Sequence, residues 1–381
     1  MDKKTHPRKY NKHWIAAASI ICLVVAAALY WPRQTTPARP QEPKGPFPYQ
    51  IANVTFKNEI ANINLSGTLT IPNGSRERYP VVVLISGSGP QNRDGEWLGH
   101  KPFQVIADHL TRNDLAVLRF DDRGFGESGG VFHTSTSYDF STDVESAIHF
   151  LKERPEIDSL KIGLIGHSDG GMIAPMVAAR SKDVSFIVLL GAPGIHGGQL
   201  FIERQILDAE KTGKTKEEIA CMQLYLEGLV DIISSAETEA EVVTNLKNFA
   251  QRTYHLLPDS QVPAGMTKDE FISRQIQMLS SPWFKYFFTY DPASTLQGVR
   301  CPVLALAGSK DVQAPAELNL PSIKEALVAG GNTNITIKKI ENLNHMFQEC
   351  QTGRIEEYSQ IEQTFAPIAL EEMLLWIQKV I

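Results

Sequence analysis

Apolar and polar residues fall in blocks along this chain, and the blocks predict a parallel sheet layered with helices. Val81 to Ile85, Leu115 to Phe120, Ile162 to Ile165, Val184 to Leu190 and Cys301 to Ala307 are short runs that are almost entirely apolar. Strands buried on both faces read this way, because neither face needs polar side chains. Between them, Phe103 to Arg112, Tyr138 to Arg154 and the run after Ser168 carry apolar residues at helical spacing. Asp139 or Ser141 is available to cap the second of these helices. Ahead of the first buried run, Ile51 to Lys57 and Asn62 to Ile71 read as a strand pair turning at Asn58-Glu59. Strand and helix in alternation give an α/β fold, a mostly parallel central sheet flanked by helices.

The alternation lapses between Ile195 and Gly298. That segment is charged and helix-periodic, as in Lys216 to Ile233 and Glu239 to Gln251, and contains no buried-strand signal. A helical cap insertion over 195–298 is therefore expected, dividing a core of residues 49–194 and 299–381. In the second part a helix is expected from about Leu320 to Ala329, a last strand over Asn334 to Ile340, and a closing helix from Glu362 to Val380.

The first 48 residues follow another pattern. Residues 1–13 carry Lys3, Lys4, Arg8, Lys9 and Lys12 against one acid, Asp2, and Trp14 to Trp31 contains no charge. As a helix, 14–31 would be about 27 Å long, close to the hydrocarbon thickness of a bilayer. Trp14, Tyr30 and Trp31 bracket it as interfacial aromatics do. A transmembrane anchor with the basic flank in the cytoplasm is expected, which puts the rest of the chain on the extracytoplasmic side. A cleaved signal segment, which would release a secreted protein, is the alternative. Residues 32–48 are proline-rich and polar, predicting an extended, unpacked linker.

At 381 residues and 43% hydrophobic the chain can bury a large core, and its net charge of −6 argues against a nucleic-acid partner. Of four cysteines, Cys22 lies in the apolar N-terminal run. Cys221, Cys301 and Cys350 have no C-x-x-C spacing, and no cluster of histidines and carboxylates has metal-ligand spacing, so neither a metal nor another cofactor is expected.

The chemistry centres on Gly166-His167-Ser168-Asp169-Gly170, a G-x-S-x-G between a predicted strand and a predicted helix. A serine on such a turn is held in a strained conformation that presents its hydroxyl at the carboxyl edge of the sheet. It needs a base to take its proton and an acid to orient that base. Asp311, in Gly308-Ser309-Lys310-Asp311, leaves the end of a predicted strand. His345 is the one histidine downstream of it and follows the last strand. Glu317 and Glu341 are alternative acids in less suitable places. An oxyanion would be met by the backbone N–H of Asp169 and by a second donor from the glycine-rich loop after Ile85, with Ser88 the expected residue. Gly124 to Gly129 spells G-x-G-x-x-G, but loop residues follow it where a dinucleotide site needs a helix. Asp121, Asp122 and Arg123 ahead of it are expected to form a charge-paired corner.

With these residues in view, the chain from about Pro48 onward resembles the α/β-hydrolase superfamily, and within it the cap-bearing bacterial serine carboxylesterases. The motifs carrying the resemblance are SGSGPQNRDG, LRFDDRGFGESGG, GHSDGG, CPVLALAGSKD and NLNHMF. It implies Ser168 as nucleophile, Asp311 as orienting acid, His345 as base, and Ser88 with Asp169 as the oxyanion pair. The implied reaction is hydrolysis of a small-molecule ester through an acyl-serine intermediate. Peptide or thioester cleavage on the same triad, and a non-catalytic binding protein on the same fold, are the alternatives. Ser86 stands where many members carry a histidine, and Asp169 where proline-specific relatives often carry an aromatic residue. In the cap, Phe271, Trp283, Phe284, Tyr286, Phe287, Phe288 and Tyr290 read as the cap's own core in preference to an acyl pocket.

Overall fold

The computed structural model describes residues 37–256 and 262–381. The predicted membrane segment, 14–31, lies outside the described residues. Among the described residues no helix is long and apolar enough to cross a membrane.

One sheet of eight strands organises the core. In chain order these are β1 (Tyr49–Asn58), β2 (Ile63–Pro72), β3 (Tyr79–Ile85), β4 (Ala116–Phe120), β5 (Ile157–His167), β6 (Val184–Leu190), β7 (Val303–Gly308) and β8 (Ile335–Ile340). Their spatial order is β1-β2-β4-β3-β5-β6-β7-β8; β1 and β2 pair antiparallel, β2 and β4 antiparallel, and every later neighbour parallel. The strands predicted from almost entirely apolar runs are the central ones, and β3 and β4 are buried along their whole length. β5 starts earlier than its apolar run, with Ile157 pairing to Tyr79 before the register shifts into the core stretch from Ile162. The first hairpin closes one step later than predicted. Asn58 still pairs with Ile63, while its side chain accepts from Ala61 N–H and donates to Thr142 and Asp143.

Helices α1 (Pro102–Thr111), α2 (Ser137–Lys152) and α3 (Gly170–Arg180) cover the sheet. Two apolar clusters form the core, one holding Val81, Val83, Leu164, Ile173 and Ile187, the other Val82, Leu84, Ile106, Ile165 and Met373. Alternate residues of β3 belong to opposite clusters, as the two-residue period of a strand requires. The cap of α2 is neither Asp139 nor Ser141. Thr136 accepts from Asp139 N–H, and the Asp139 carboxylate accepts from Thr136 N–H 2.8 Å away, a reciprocal box that saturates both orphan donors.

The described chain divides into two compact units, residues 201–288 and residues 37–200 with 289–381. The unit 201–288 is built from α4 (Gly197–Lys211), α5 (Lys216–Ser235), α6 (Glu239–Thr253), α7 (Lys268–Leu279) and α8 (Pro282–Thr289). α5, α6 and α7 each open on a threonine box, Thr215 with Glu218, Thr238 with Glu241 and Thr267 with Glu270. Trp283 stacks on Phe287 at 5.0 Å, Phe288 packs against Phe201 and Phe284, and Phe271 is buried. Within this unit the aromatic residues therefore pack largely on one another.

The second part of the core contains α9 (Pro292–Leu296), α10 (Ala316–Ala329), α11 (Ile355–Tyr358) and α12 (Pro367–Val380). α10 begins four residues before the predicted start and accommodates Pro321 within it. α12 begins at Pro367, not Glu362, since proline at the first turn lacks a donor the helix would leave unpaired anyway. The stretch before it is held instead by the proline-rich segment. Gln41 accepts from Thr364 N–H and Phe365 N–H and donates to Phe365 O, and Arg39 donates to the carbonyls of Leu98, Gly99, Ser359 and Ile361. Residues 39–42 are thus docked on the core, which corrects the expectation of an unpacked linker there.

Candidate active site

β5 turns into α3 through Ser168, whose φ of 55° lies in the left-handed region. Its glycines are required by contact. A methyl group on Gly166 would sit 2.0 Å from Gly170 O, and one on Gly170 would sit 2.3 Å from Ile85 O and 2.6 Å from Ser86 O. All three distances are too short for real atoms, so the spacing G-x-S-x-G records how closely β5, α3 and the end of β3 approach. Ser168 N–H donates to Leu190 O at 2.9 Å, fixing the turn to β6.

The loop after β3 lies against this serine. A methyl group on Gly87 would come 3.1 Å from Ser168 Cβ, so Ser88 lies one residue beyond the point where the loop meets the serine. Asp169 follows the serine and is buried, with its carboxylate accepting from Ser137 Oγ at 3.0 Å.

Asp311 leaves β7, and its two oxygens have separate tasks. Oδ1 accepts from the N–H groups of Gln313 and Ala314, each at 2.8 Å, and Oδ2 faces His345 Nδ1 at 2.8 Å. Both side chains are buried. A carboxylate pinned by two amides fixes the orientation of the ring it faces, with Nδ1 turned to the acid. Gly191, at φ 56°, passes beside the pair, and a methyl group there would lie 3.1 Å from His345 Nδ1 and 3.2 Å from Asp311 Oδ2. Glu317 and Glu341 both face Lys339, at 3.0 and 3.9 Å, while the bond to His345 comes from Asp311.

His167, beside the serine in sequence, ties the elbow to the histidine turn. Its Nε2 is 2.9 Å from the backbone carbonyl of His345, and the two rings are 4.8 Å apart. Burial, and next the neighbouring His345 ring, push His167 down to about 4, so it is neutral at pH 7 and donates from Nε2. Nothing in the sequence pattern singled out this contact, since its two ends are 178 positions apart.

The corner after β4 also differs from expectation. Arg123 pairs with Asp143 on α2 at 2.7 Å, and Asp121 pairs with Arg93 at 2.6 Å, so the ion pairs reach out to other elements. Asp122 accepts from Ser86 Oγ at 2.5 Å and from Gln91 N–H at 2.8 Å. Burial pushes Asp122 up to about 7. The G-x-G-x-x-G opens no helix, as the sequence suggested. α2 starts only at Ser137, and a methyl group on Gly126 would strike the Asp121 carboxylate at 2.5 Å.

Comparison with known proteins places this geometry in a family. The family described as "Serine aminopeptidase, S33" matches residues 100–349, a span that includes Ser168, Asp311 and His345. The esterase EstD of Thermotoga maritima is 28% identical over 297 residues, which cover 77% of this chain and 60% of that protein's length. Two solved structures share the fold. The Pyrococcus furiosus esterase PF2001 superposes with a TM-score of 0.52 at 16% identity, over 91% of this chain and 97% of its own. The α/β hydrolase GrgF of Penicillium sp. sh18 superposes at 0.53 and 16% identity, over 87% and 98%. The match over residues 100–349 and the sheet order together show that this chain belongs to the S33 serine aminopeptidase family of the α/β-hydrolase superfamily.

Proposed function

We propose that this protein is a serine hydrolase cleaving carboxylic esters of small or medium acyl groups through an acyl-Ser168 intermediate. The observation that carries the reading is the 2.8 Å bond between His345 Nδ1 and Asp311 Oδ2, reached through His167 from a serine held at φ 55°. In the proposed reaction His345 Nε2 takes the Ser168 proton as the hydroxyl oxygen attacks the ester carbonyl. The N–H groups of Asp169 and Ser88 meet the oxyanion. Collapse expels the alcohol with the proton from His345, and a water activated by the same imidazole then releases the acid.

The likeness to EstD favours esters, whereas the family's description favours an amide substrate, cleaved by the same steps. A panel of nitrophenyl esters set against aminoacyl anilides separates the two. Turnover of short-chain esters is expected, with fluorophosphonate labelling of the wild type and none of Ser168→Ala. A wild type that takes no probe refutes the enzyme reading, and turnover of anilides alone refutes the ester preference.

The uncharged run 14–31 behind a basic flank supports a second proposal, that the protein is held at a membrane with its core on the extracytoplasmic side. Release of the full-length chain from membranes by alkaline carbonate would refute it.

A further inference from the structure

We infer that Asp122 is a positioning residue for the oxyanion loop, clamping that loop on both sides of Ser88 from the neighbouring strand. The inference rests on the esterase reading above for its kinetic consequence, but the clamp itself is geometric. β3 ends at Ile85, and residues 86–93 run on without regular structure beside the nucleophile. A loop rich in glycine has the backbone freedom to present bare N–H groups, and the same freedom lets it wander. Something outside the loop must hold it.

The holding groups come from the end of β4. Asp122 Oδ1 accepts from Ser86 Oγ at 2.5 Å and Oδ2 from Gln91 N–H at 2.8 Å, while Asp122 N–H donates to Gln91 O at 3.1 Å. Ser86 and Gln91 flank Ser88, and the Gln91 side-chain amide reaches back to Ser88 O at 3.3 Å. One position further out, Asp121 Oδ1 accepts from Arg93 N–H at 2.7 Å. Two consecutive carboxylates thus take the alternate amides 91 and 93. Asp122 is buried, so water is a poor substitute for either bond. Ser86 supplies the hydroxyl this clamp uses.

A displaced oxyanion donor lowers the rate of the chemical step and leaves ground-state binding nearly intact. In the full-length protein, Asp122→Ala is therefore expected to lower kcat for a nitrophenyl ester by roughly tenfold to a hundredfold, with KM within about twofold. Amide hydrogen exchange in residues 86–93 should speed up in the same variant. Asp122→Asn retains one acceptor oxygen for Gln91 N–H and can donate to Ser86 Oγ, so it should restore kcat to within about threefold. Ser86→Ala removes one of the two side-chain bonds and is expected to fall between them, which keeps the test open should Asp122→Ala fail to fold. Unchanged kcat and unchanged exchange in Asp122→Ala and Ser86→Ala would overturn the inference. So would a loss shared between kcat and KM that Asp122→Asn does not rescue. If the wild type hydrolyses no ester and yet Asp122→Ala deprotects residues 86–93, the clamp stands and the esterase reading falls.

Discussion

Titratable residues perturbed by burial pull stability in opposite directions with pH. His167 and His100 are both held down to about 4, chiefly by burial, so between pH 6.5 and 4 the unfolded chain binds protons that the folded chain refuses. Each costs roughly 2 kcal/mol of stability on going from pH 7 to pH 5. Asp122 is held up to about 7, chiefly by burial, with the Asp143 and Asp169 carboxylates acting the same way. Between pH 3.8 and 7 its folded form keeps a proton that the unfolded chain gives up, so it returns roughly 2 kcal/mol over the same interval. The wild-type curve alone therefore says little, because the two contributions partly cancel. The comparison with Asp122→Asn isolates one of them. That variant lacks the carboxyl, so its stability relative to wild type should improve by about 2 kcal/mol between pH 5 and pH 7 in urea unfolding. Parallel curves for the two proteins would show that Asp122 ionises normally in the fold.

At the scale of elements, what could be read from the chain was whatever repeats locally. β3, β4 and β6 stood out because a strand buried on both faces leaves a run that is almost entirely apolar, which marks them as central strands but does not fix their order. The elbow was equally plain, since Gly166 and Gly170 are demanded by contacts within a few residues of the serine or with the adjoining strand end. Asp311 and His345 could be placed by chain order and by the strand each follows. The features that escaped have partners remote in sequence. His167 meets a carbonyl 178 positions away, and Asp122 meets a hydroxyl 36 positions before it. Neither leaves a period or a motif. Even nearby, choosing Thr136 over Asp139 as the cap of α2 required knowing which residue keeps extended backbone, at φ −110° and ψ 168°. Composition misled for residues 39–42. Proline and polar residues describe a tether well, yet three side chains there, Arg39, Gln41 and Glu42, make eight hydrogen bonds to backbone and side-chain groups of the core.

For the whole molecule, that docking makes the segment ahead of β1 part of the catalytic unit and not merely its leash. Arg39 satisfies carbonyls at 98, 99, 359 and 361, and Gln41 satisfies three backbone groups of Thr364 and Phe365. Phe365 in turn stacks on Phe347 at 5.3 Å, and Ala366 N–H donates to Phe347 O at 2.7 Å. Phe347 lies two residues beyond His345, in the turn that carries the proposed base. The arm therefore backs the histidine loop from behind, through one layer of stacked rings. A fragment starting at Pro48 would leave those carbonyls and amides to water and loosen the 359–366 stretch. Hydrogen bonds from a charged donor are worth about 1–3 kcal/mol when lost, so in urea unfolding this fragment should be less stable than one starting at Pro37 by that amount or more. Arg39→Ala in the longer fragment should reproduce part of the loss. If the two fragments unfold together and hydrolyse esters equally well, the arm is ornamental, and the histidine turn is held without it.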